Sequence, residues 1–218
     1  MPYTTATTKT GPFSLSSPPD TDIWRKPPSH NVLSAPTHPD PLPKCPLKLF
    51  QRARLSFTLP PVPQLLQYDQ AGLLLHFTKP GLPEGKDKWL KTGIEFYYQQ
   101  PYISTVGCDQ WADWSIVPLP QPSSSSSSED GDFRPGIRLE AKRERDELGK
   151  SLWVYAVEVD AEGKEVERRP LREVNWAFAE EEEGWEVGVG GYVARPAKEG
   201  GELVVEFGEG LEVEVLEG

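Results

Sequence analysis

Runs rich in Val, Ile, Leu, Tyr, Phe and Trp recur along this chain with no helical stripe among them, which limits it to a β architecture. They fall at about 65–76, 88–98, 102–107, 113–118, 136–143, 151–159, 165–170, 184–194, 202–207 and 210–216, after a first alternating stretch from Phe50 to Leu59. Turn signals separate them, including Pro80-Gly81, Glu84-Gly85, Glu162-Gly163 and Gly200-Gly201. The best helical alternative, Glu140 to Leu148, is charged on every side and reads better as the tip of a long hairpin. Many short strands joined by turns predict an all-β antiparallel sandwich.

Fourteen of the 23 prolines stand in residues 1–63. Proline cannot donate to a sheet ladder, so residues 1–46 are expected to be an irregular segment with short edge strands at most. Phe13, Ile23, Trp24, Val32 and Leu33 would pack that segment on a sandwich of residues 47–218. A serine-rich loop at 122–132, ending in Glu129-Asp130-Gly131-Asp132, reads as an insertion. A chain of 218 residues suits one domain with one core.

The net charge of −11 is unevenly spread: residues 1–63 carry seven Lys/Arg against three Asp/Glu, residues 180–218 two against twelve. An acidic balance without a Lys/Arg-rich run speaks against nucleic acid and against anionic membranes. The start, Met1-Pro2-Tyr3-Thr4-Thr5, lacks the apolar run of a secretory signal, and no stretch has the length of a membrane span. A cytoplasmic protein is expected, with Cys45 and Cys108 as free thiols.

Period-two reading of Trp89 to Tyr97 puts Trp89, Lys91, Glu95 and Tyr97 on one face, and Leu90, Ile94 and Phe96 on the other. In the preceding run Gln70, Gly72, Leu74 and His76 share a face, opposite Ala71, Leu73 and Leu75. If the leucines pack in the core, Gln70 and His76 join the polar face. Asp113 and Ser115 are expected to point the same way, opposite Trp114. Such a face offers hydrogen-bonding groups for hydroxyls and aromatic faces for C–H surfaces, which is what sugar recognition needs. The plain alternative is a structural polar layer held by surface ion pairs worth roughly 0–1 kcal/mol each. Lys91 and Glu95 lie four apart on one strand, about 13 Å between Cα atoms, so each needs a cross-strand partner.

Three blocks together resemble a known signature: Tyr68 to Leu75, Trp89 to Tyr97, and Asp113-Trp114-Ser115. They look like a widespread microbial family of unknown function whose members are often labelled concanavalin A-like or regulation-of-enolase-like. Ile137-Arg138-Leu139, Trp153-Val154-Tyr155, Trp185 to Gly190 with Pro196, and the Phe207 strand extend the resemblance over most of residues 20–215. It implies a jelly roll with one concave and one convex sheet, the concave sheet being where lectin and glucanase relatives hold sugars. Two features depart from the pattern: the serine-rich insertion, and Cys108 where Thr is common.

Other motifs carry less. Glu158-Val159-Asp160-Ala161-Glu162 has the spacing of a retaining glucanase, but it runs into Gly163-Lys164, so Glu162 belongs to a turn. Ser115 lies in no nucleophile elbow, and Gly188, Gly190 and Gly191 have no following helix, so they suit close backbone approach. His30, His38 and His76 have no metal-ligand spacing, and neither a metal nor another cofactor is expected; Asp130 or Asp132 could serve a loop calcium, without a dedicated motif. The run Glu180 to Glu183 reads as a solvated loop.

The first functional expectation is a non-catalytic groove for a carbohydrate or small metabolite, lined by Gln70, His76, Trp89, Lys91, Glu95, Tyr97, Asp113 and Ser115. A second is an isomerase, lyase or cyclase of a small metabolite. In it Lys91 or Glu95 would be the acid/base group, with Asp113 as partner and Trp89 and Tyr97 desolvating the lysine. A third, which the resemblance implies, is regulation of a metabolic enzyme by contact with the acidic C-terminal third.

Overall fold

A computed structural model describes residues 4–120 and 133–217. Asp130, Asp132 and the serine-rich loop lie outside the described residues. The described residues form seventeen strands: β1 (Thr4–Lys9), β2 (Phe13–Ser17), β3 (Ile23–Lys26), β4 (His30–Leu33), β5 (Thr37–His38), β6 (Lys44–Pro46), β7 (Phe50–Thr58), β8 (Gln70–Thr78) and β9 (Lys88–Tyr97). They continue with β10 (Gln100–Cys108), β11 (Ala112–Pro118), β12 (Gly136–Arg145), β13 (Lys150–Val159), β14 (Glu165–Val174), β15 (Glu186–Ala194), β16 (Leu203–Phe207) and β17 (Leu211–Glu217). Among the described residues helix is confined to four single 3-10 turns, and none is long and apolar enough to cross a membrane.

Two antiparallel sheets form a jelly-roll sandwich. One has eight strands, ordered β1-β17-β7-β12-β13-β14, with β16 joining β7 to β2. The other has seven, ordered β11-β10-β9-β8-β15-β5, with β6 also on β15. Their facing sides make the main core. Phe50, Leu55, Phe57, Leu139, Val154 and Phe207 come from the first sheet, and Leu73, Leu75, Leu90, Ile94 and Phe96 from the second. Alternation therefore predicts correctly which side of β8 and β9 faces the main core, although the other side is buried as well.

The proline-rich start is more ordered than its composition predicts. β1 pairs with β17 and β2 with β16, while β5 and β6 extend the second sheet along β15. Proline removes only its own N–H, so ladders of two to six residues fit between prolines at the sheet edges. The hairpin of β3 and β4 does something different. It lies over the outer face of the seven-stranded sheet, where Ile23 packs with Leu74, Trp89, Val106, Cys108 and Tyr192 in a second, smaller core. At Gly190 a Cβ would fall 2.3 Å from Leu42 Cδ2 and 2.9 Å from the His38 carbonyl oxygen, so glycine there lets this covering segment lie flat on β15.

Three local readings hold. β12 continues to Arg145, and Asp146 Oδ1 then accepts from the amides of Leu148 and Gly149 to close a hairpin. β13 ends at Val159, and Asp160 Oδ1 accepts from the amides of Glu162 and Lys164, which places Glu162 in a turn. Cys45 and Cys108 are free thiols. One reading fails: within the Glu180 to Glu183 run, Glu181 is buried against Arg143 and Lys150. Seven of the twelve acidic residues at 180–218, Glu180, Glu181, Glu182, Glu183, Glu209, Glu212 and Glu214, meet cations of the same chain.

Candidate functional site

The ladder between β8 and β9 sets Gln70 opposite Glu95, Gly72 opposite Gly93 and Leu74 opposite Lys91. All six face away from the main core. A Cβ on Gly72 would meet the Thr92 carbonyl oxygen at 2.0 Å, and one on Gly93 the Ala71 carbonyl oxygen at 1.9 Å, so the two strands approach more closely than any side chain allows. This bare floor leaves room above it. Lys91 and Glu95 flank the floor on one strand, and Gln70 closes it from the other.

Lys91 and Gln70 meet directly: Lys91 Nζ donates to Gln70 Oε1 at 2.6 Å. Asp22 Oδ1 lies 3.7 Å from the same Nζ, a charge contact rather than a hydrogen bond. The Trp24 ring is 5.7 Å from Nζ, within cation–π range. Glu95 Oε2 accepts from Ser104 Oγ at 2.8 Å and Trp114 Nε1 at 3.1 Å. Tyr68 and Pro196 complete the walls of a cavity of about 280 Å³.

Burial governs the charges here. It pushes the Lys91 ammonium below its usual pKa, against the raising pull of Asp22 and Glu95. It pushes the Glu95 carboxyl up, against the Lys91 charge and the Ser104 and Trp114 hydrogen bonds. Tyr192, on the neighbouring strand, is held well above its ordinary value by burial and then by the Glu95 and Asp22 charges. Each of these groups is thus moved toward its neutral form.

A buried ion pair fixes the neighbouring backbone. Asp69 takes Arg195 Nε at 3.0 Å and Nη2 at 2.6 Å, and its Oδ2 also accepts the Leu66 amide. Arg195 donates further to the carbonyls of Gly201 and Gln64. Tyr68, beside Asp69, is held at φ 67°, which turns its ring to the cavity mouth, and Pro196 follows Arg195 on the other side. The roof has its own clamp: Arg25 donates to the Asp87 carbonyl oxygen at 2.7 Å and to Asp87 Oδ1 at 2.8 Å, and His76 Nε2 lies 2.8 Å from Asp87 Oδ2.

The eight residues expected to line a groove separate accordingly. Gln70, Lys91 and Glu95 converge. Tyr97 shares their face but stands at the mouth, 5.5 Å from Tyr68 and 5.2 Å from Trp114 between ring centroids. Trp89 faces the same way yet is buried in the second core, so it can stack on no ligand. His76 lies six residues along β8, about 20 Å from Gln70 at strand spacing, and belongs to the roof clamp.

Asp113 and Ser115 point the opposite way. Their partners on β10 are Gly107 and Thr105, which face Trp176 and Thr92 on the core side, while Trp114 pairs with Val106 and turns outward. Arg172 of β14 holds both, donating to Ser115 Oγ at 2.9 Å and to the Asp113 carboxylate. One residue of parity separates the expected β11 face from the observed one. Asp113 therefore cannot act as partner to Lys91 or Glu95.

Five wall residues escape the sequence reading; one of them, Pro196, lies just beyond the end of β15. Trp114 is lost to the same parity error. Tyr68 sits in a turn, and Asp22 and Trp24 come from the segment read as irregular. A signal did exist in Asp22-Ile23-Trp24-Arg25, whose alternation marks a strand with Ile23 and Arg25 buried.

Comparison with known proteins places the chain among uncharacterised relatives. It is 40% identical over 197 residues to an uncharacterised protein of Emericella nidulans, covering 89% of this chain and 82% of the relative. A solved structure of a functionally unknown protein from Saccharomyces cerevisiae superposes with a TM-score of 0.53 at 17% identity, over 96% of this chain and 95% of that one, which is likeness of fold alone. A bifunctional GH43-CE protein of Bacteroides eggerthii overlays 75% of this chain on 18% of its own length, with a TM-score of 0.40 and 14% identity, too loosely to carry an argument. One family model, described as a protein of unknown function (DUF1349), matches residues 1–210, and the chain belongs to that family.

Proposed function

We propose that this protein binds a carbohydrate or small polyhydroxylated metabolite in the cavity beneath the β3–β4 hairpin. The carrying observation is unspent hydrogen-bonding capacity at buried groups. Lys91 Nζ has three donors and makes one hydrogen bond among the described residues, to Gln70. Glu95 takes both its donors on Oε2, so Oε1 has no protein partner among them. Hydroxyls satisfy both, because each can accept from the ammonium and donate to the carboxylate. Trp24, Tyr68 and Trp114 offer apolar faces to the C–H side of such a ligand. About 280 Å³ is near the lower end of ligand pockets, which suits one ring rather than a large cofactor.

A glycan array followed by calorimetry tests this reading. Binding by wild type that is lost in Lys91→Met and weakened in Glu95→Gln supports it. If no sugar, sugar acid or polyol binds below millimolar concentration, the reading fails.

A second reading, proton transfer on the same ligand, is favoured by the opposed pKa shifts. A lysine moved toward the amine and a carboxyl moved toward the acid give a base and an acid on one floor, as an isomerase or lyase requires. Incubating each bound sugar in deuterated water and following its C–H signals by NMR checks this. Exchange that depends on Lys91 or Glu95 supports catalysis, and an unchanged spectrum leaves binding alone.

A further inference from the structure

We propose that the ligand is the end of a neutral oligosaccharide, with its terminal unit in the cavity and the next unit on an aromatic ledge at the tip of the β9–β10 hairpin. This inference rests on the binding reading above and extends it to the class of ligand. The ledge begins at the cavity wall. Trp114 donates to Glu95 inside and meets the Tyr97 ring outside, edge-on at 5.2 Å. Tyr97 in turn meets Tyr68, Tyr98 and Tyr102 at 5.5, 4.3 and 6.3 Å. The ladder fixes the common face, because Tyr102 pairs with Glu95 and Tyr97 with Gln100.

Exposure is the second observation. Tyr98 is 73% exposed and Tyr68 41%, in a continuous cluster of rings leading out of a cavity mouth. The hairpin maintains this at a cost. Tyr98 and Gln99 both have positive φ, 44° and 63°, in a tight turn where asparagine and glycine are the favoured pair. A bulky residue held there presents its ring to solvent, and strain of this kind gathers at ligand clamps. Gln67 Oε1 accepts the Tyr98 amide and secures the turn from the β8 side.

Charge selects the occupant. Residues 65–68 and 97–102 contain no Asp, Glu, Lys or Arg, in a chain that is 26% charged. The tip is made of tyrosine, glutamine and a proline. Nothing there complements a phosphate, a carboxylate or an acidic peptide. Phenol rings stack on the C–H face of a sugar, and amides and phenol hydroxyls bond its hydroxyls. A cavity of about 280 Å³ holds one unit, so a longer chain must leave across the rings at its mouth.

The experiment uses a glycan array of neutral oligosaccharides of graded length, then calorimetry with the best one and with the methyl glycoside of its terminal unit. Wild type is expected to bind the oligosaccharide more tightly than the methyl glycoside. In Tyr98→Ala that preference should fall about tenfold, the effect of losing one aromatic contact. Tyr98 is exposed, so the variant should keep the wild-type melting temperature. Equal affinity of wild type for the two ligands, or an unaltered preference in Tyr98→Ala, overturns the ledge and leaves the cavity reading standing. An array on which only charged glycans bind overturns it as well. An array with no bound glycan removes the cavity reading and the ledge with it.

Discussion

Glu95 shows how one buried residue links the site to the stability of the fold. Its carboxyl faces Lys91, Ser104, Trp114 and Asp22, and burial wins over the three stabilising partners. The folded chain therefore keeps this proton to higher pH than the unfolded chain does. Folding takes up a proton in the window above the ordinary carboxylate pKa, so stability falls as pH rises through that window. Glu95→Gln cannot titrate, so this decline should be absent when urea midpoints are compared from pH 4 to 7. Identical pH profiles would mean that folding leaves the Glu95 pKa where it stands in the unfolded chain. The residue scale was also the most legible in the sequence for β8 and β9, where alternation alone places Gln70, Lys91 and Glu95 on one side. It failed on β11, because a run such as Asp113-Trp114-Ser115 has an apolar residue that can face either a core or a roofed groove. Trp114 faces the groove because the roof supplies its apolar surroundings, and no local pattern announces a roof.

Two elements make the cavity, a glycine floor and a hairpin lid, and each predicts a measurable consequence. On the floor, Gly72→Ala drives a methyl group into the Thr92 carbonyl, where only separation of β8 from β9 relieves it. A cost of about 3 kcal/mol is expected by urea denaturation, the upper end for overpacking. A variant as stable as wild type would show that the strands do not approach as closely as drawn. In the roof, Arg25 joins β3 to Asp87 and bonds Asn31 in β4 through Nε. Burial alone would raise the Asp87 carboxyl, yet the His76 hydrogen bond and the Arg25 charge hold it below its usual value. Arg25→Met should free the hairpin at one end. Amide exchange in residues 23–33 is then expected to accelerate at least tenfold while β8 and β9 stay protected. Unaltered exchange there would show that packing of Ile23, not the clamp, holds the roof. The strand pattern of β3 was readable, whereas its docking on the far face of another sheet was not. That docking depends on contacts more than sixty residues apart in sequence.

The molecule as a whole has two cores of unequal weight, and this division is what separates its fold from its site. The larger lies between the sheets and was legible in the sequence as the apolar sides of β8 and β9. The smaller, with Ile23, Leu74, Trp89, Val106, Cys108 and Tyr192 buried, exists only because the covering hairpin turns an outer face into an inner one. Sequence reading treated Trp89 as a groove residue for that reason: period two gives the side, not the cover. The two cores should respond differently to truncation. Phe96→Ala removes a ring from the main core and is expected to cost about 3–5 kcal/mol in global unfolding. Ile23→Ala removes a similar class of buried group from the smaller one, for which about 2–5 kcal/mol is usual in a single cooperative core. If the roof opens as its own unit, little of that cost reaches the global midpoint. It should emerge as faster exchange of the residue 23–33 amides and as weaker ligand binding, since Asp22 and Trp24 move with the hairpin. Equal shifts of the urea midpoint in Phe96→Ala and Ile23→Ala would instead make roof and sandwich one cooperative body, in which ligands enter without the hairpin opening.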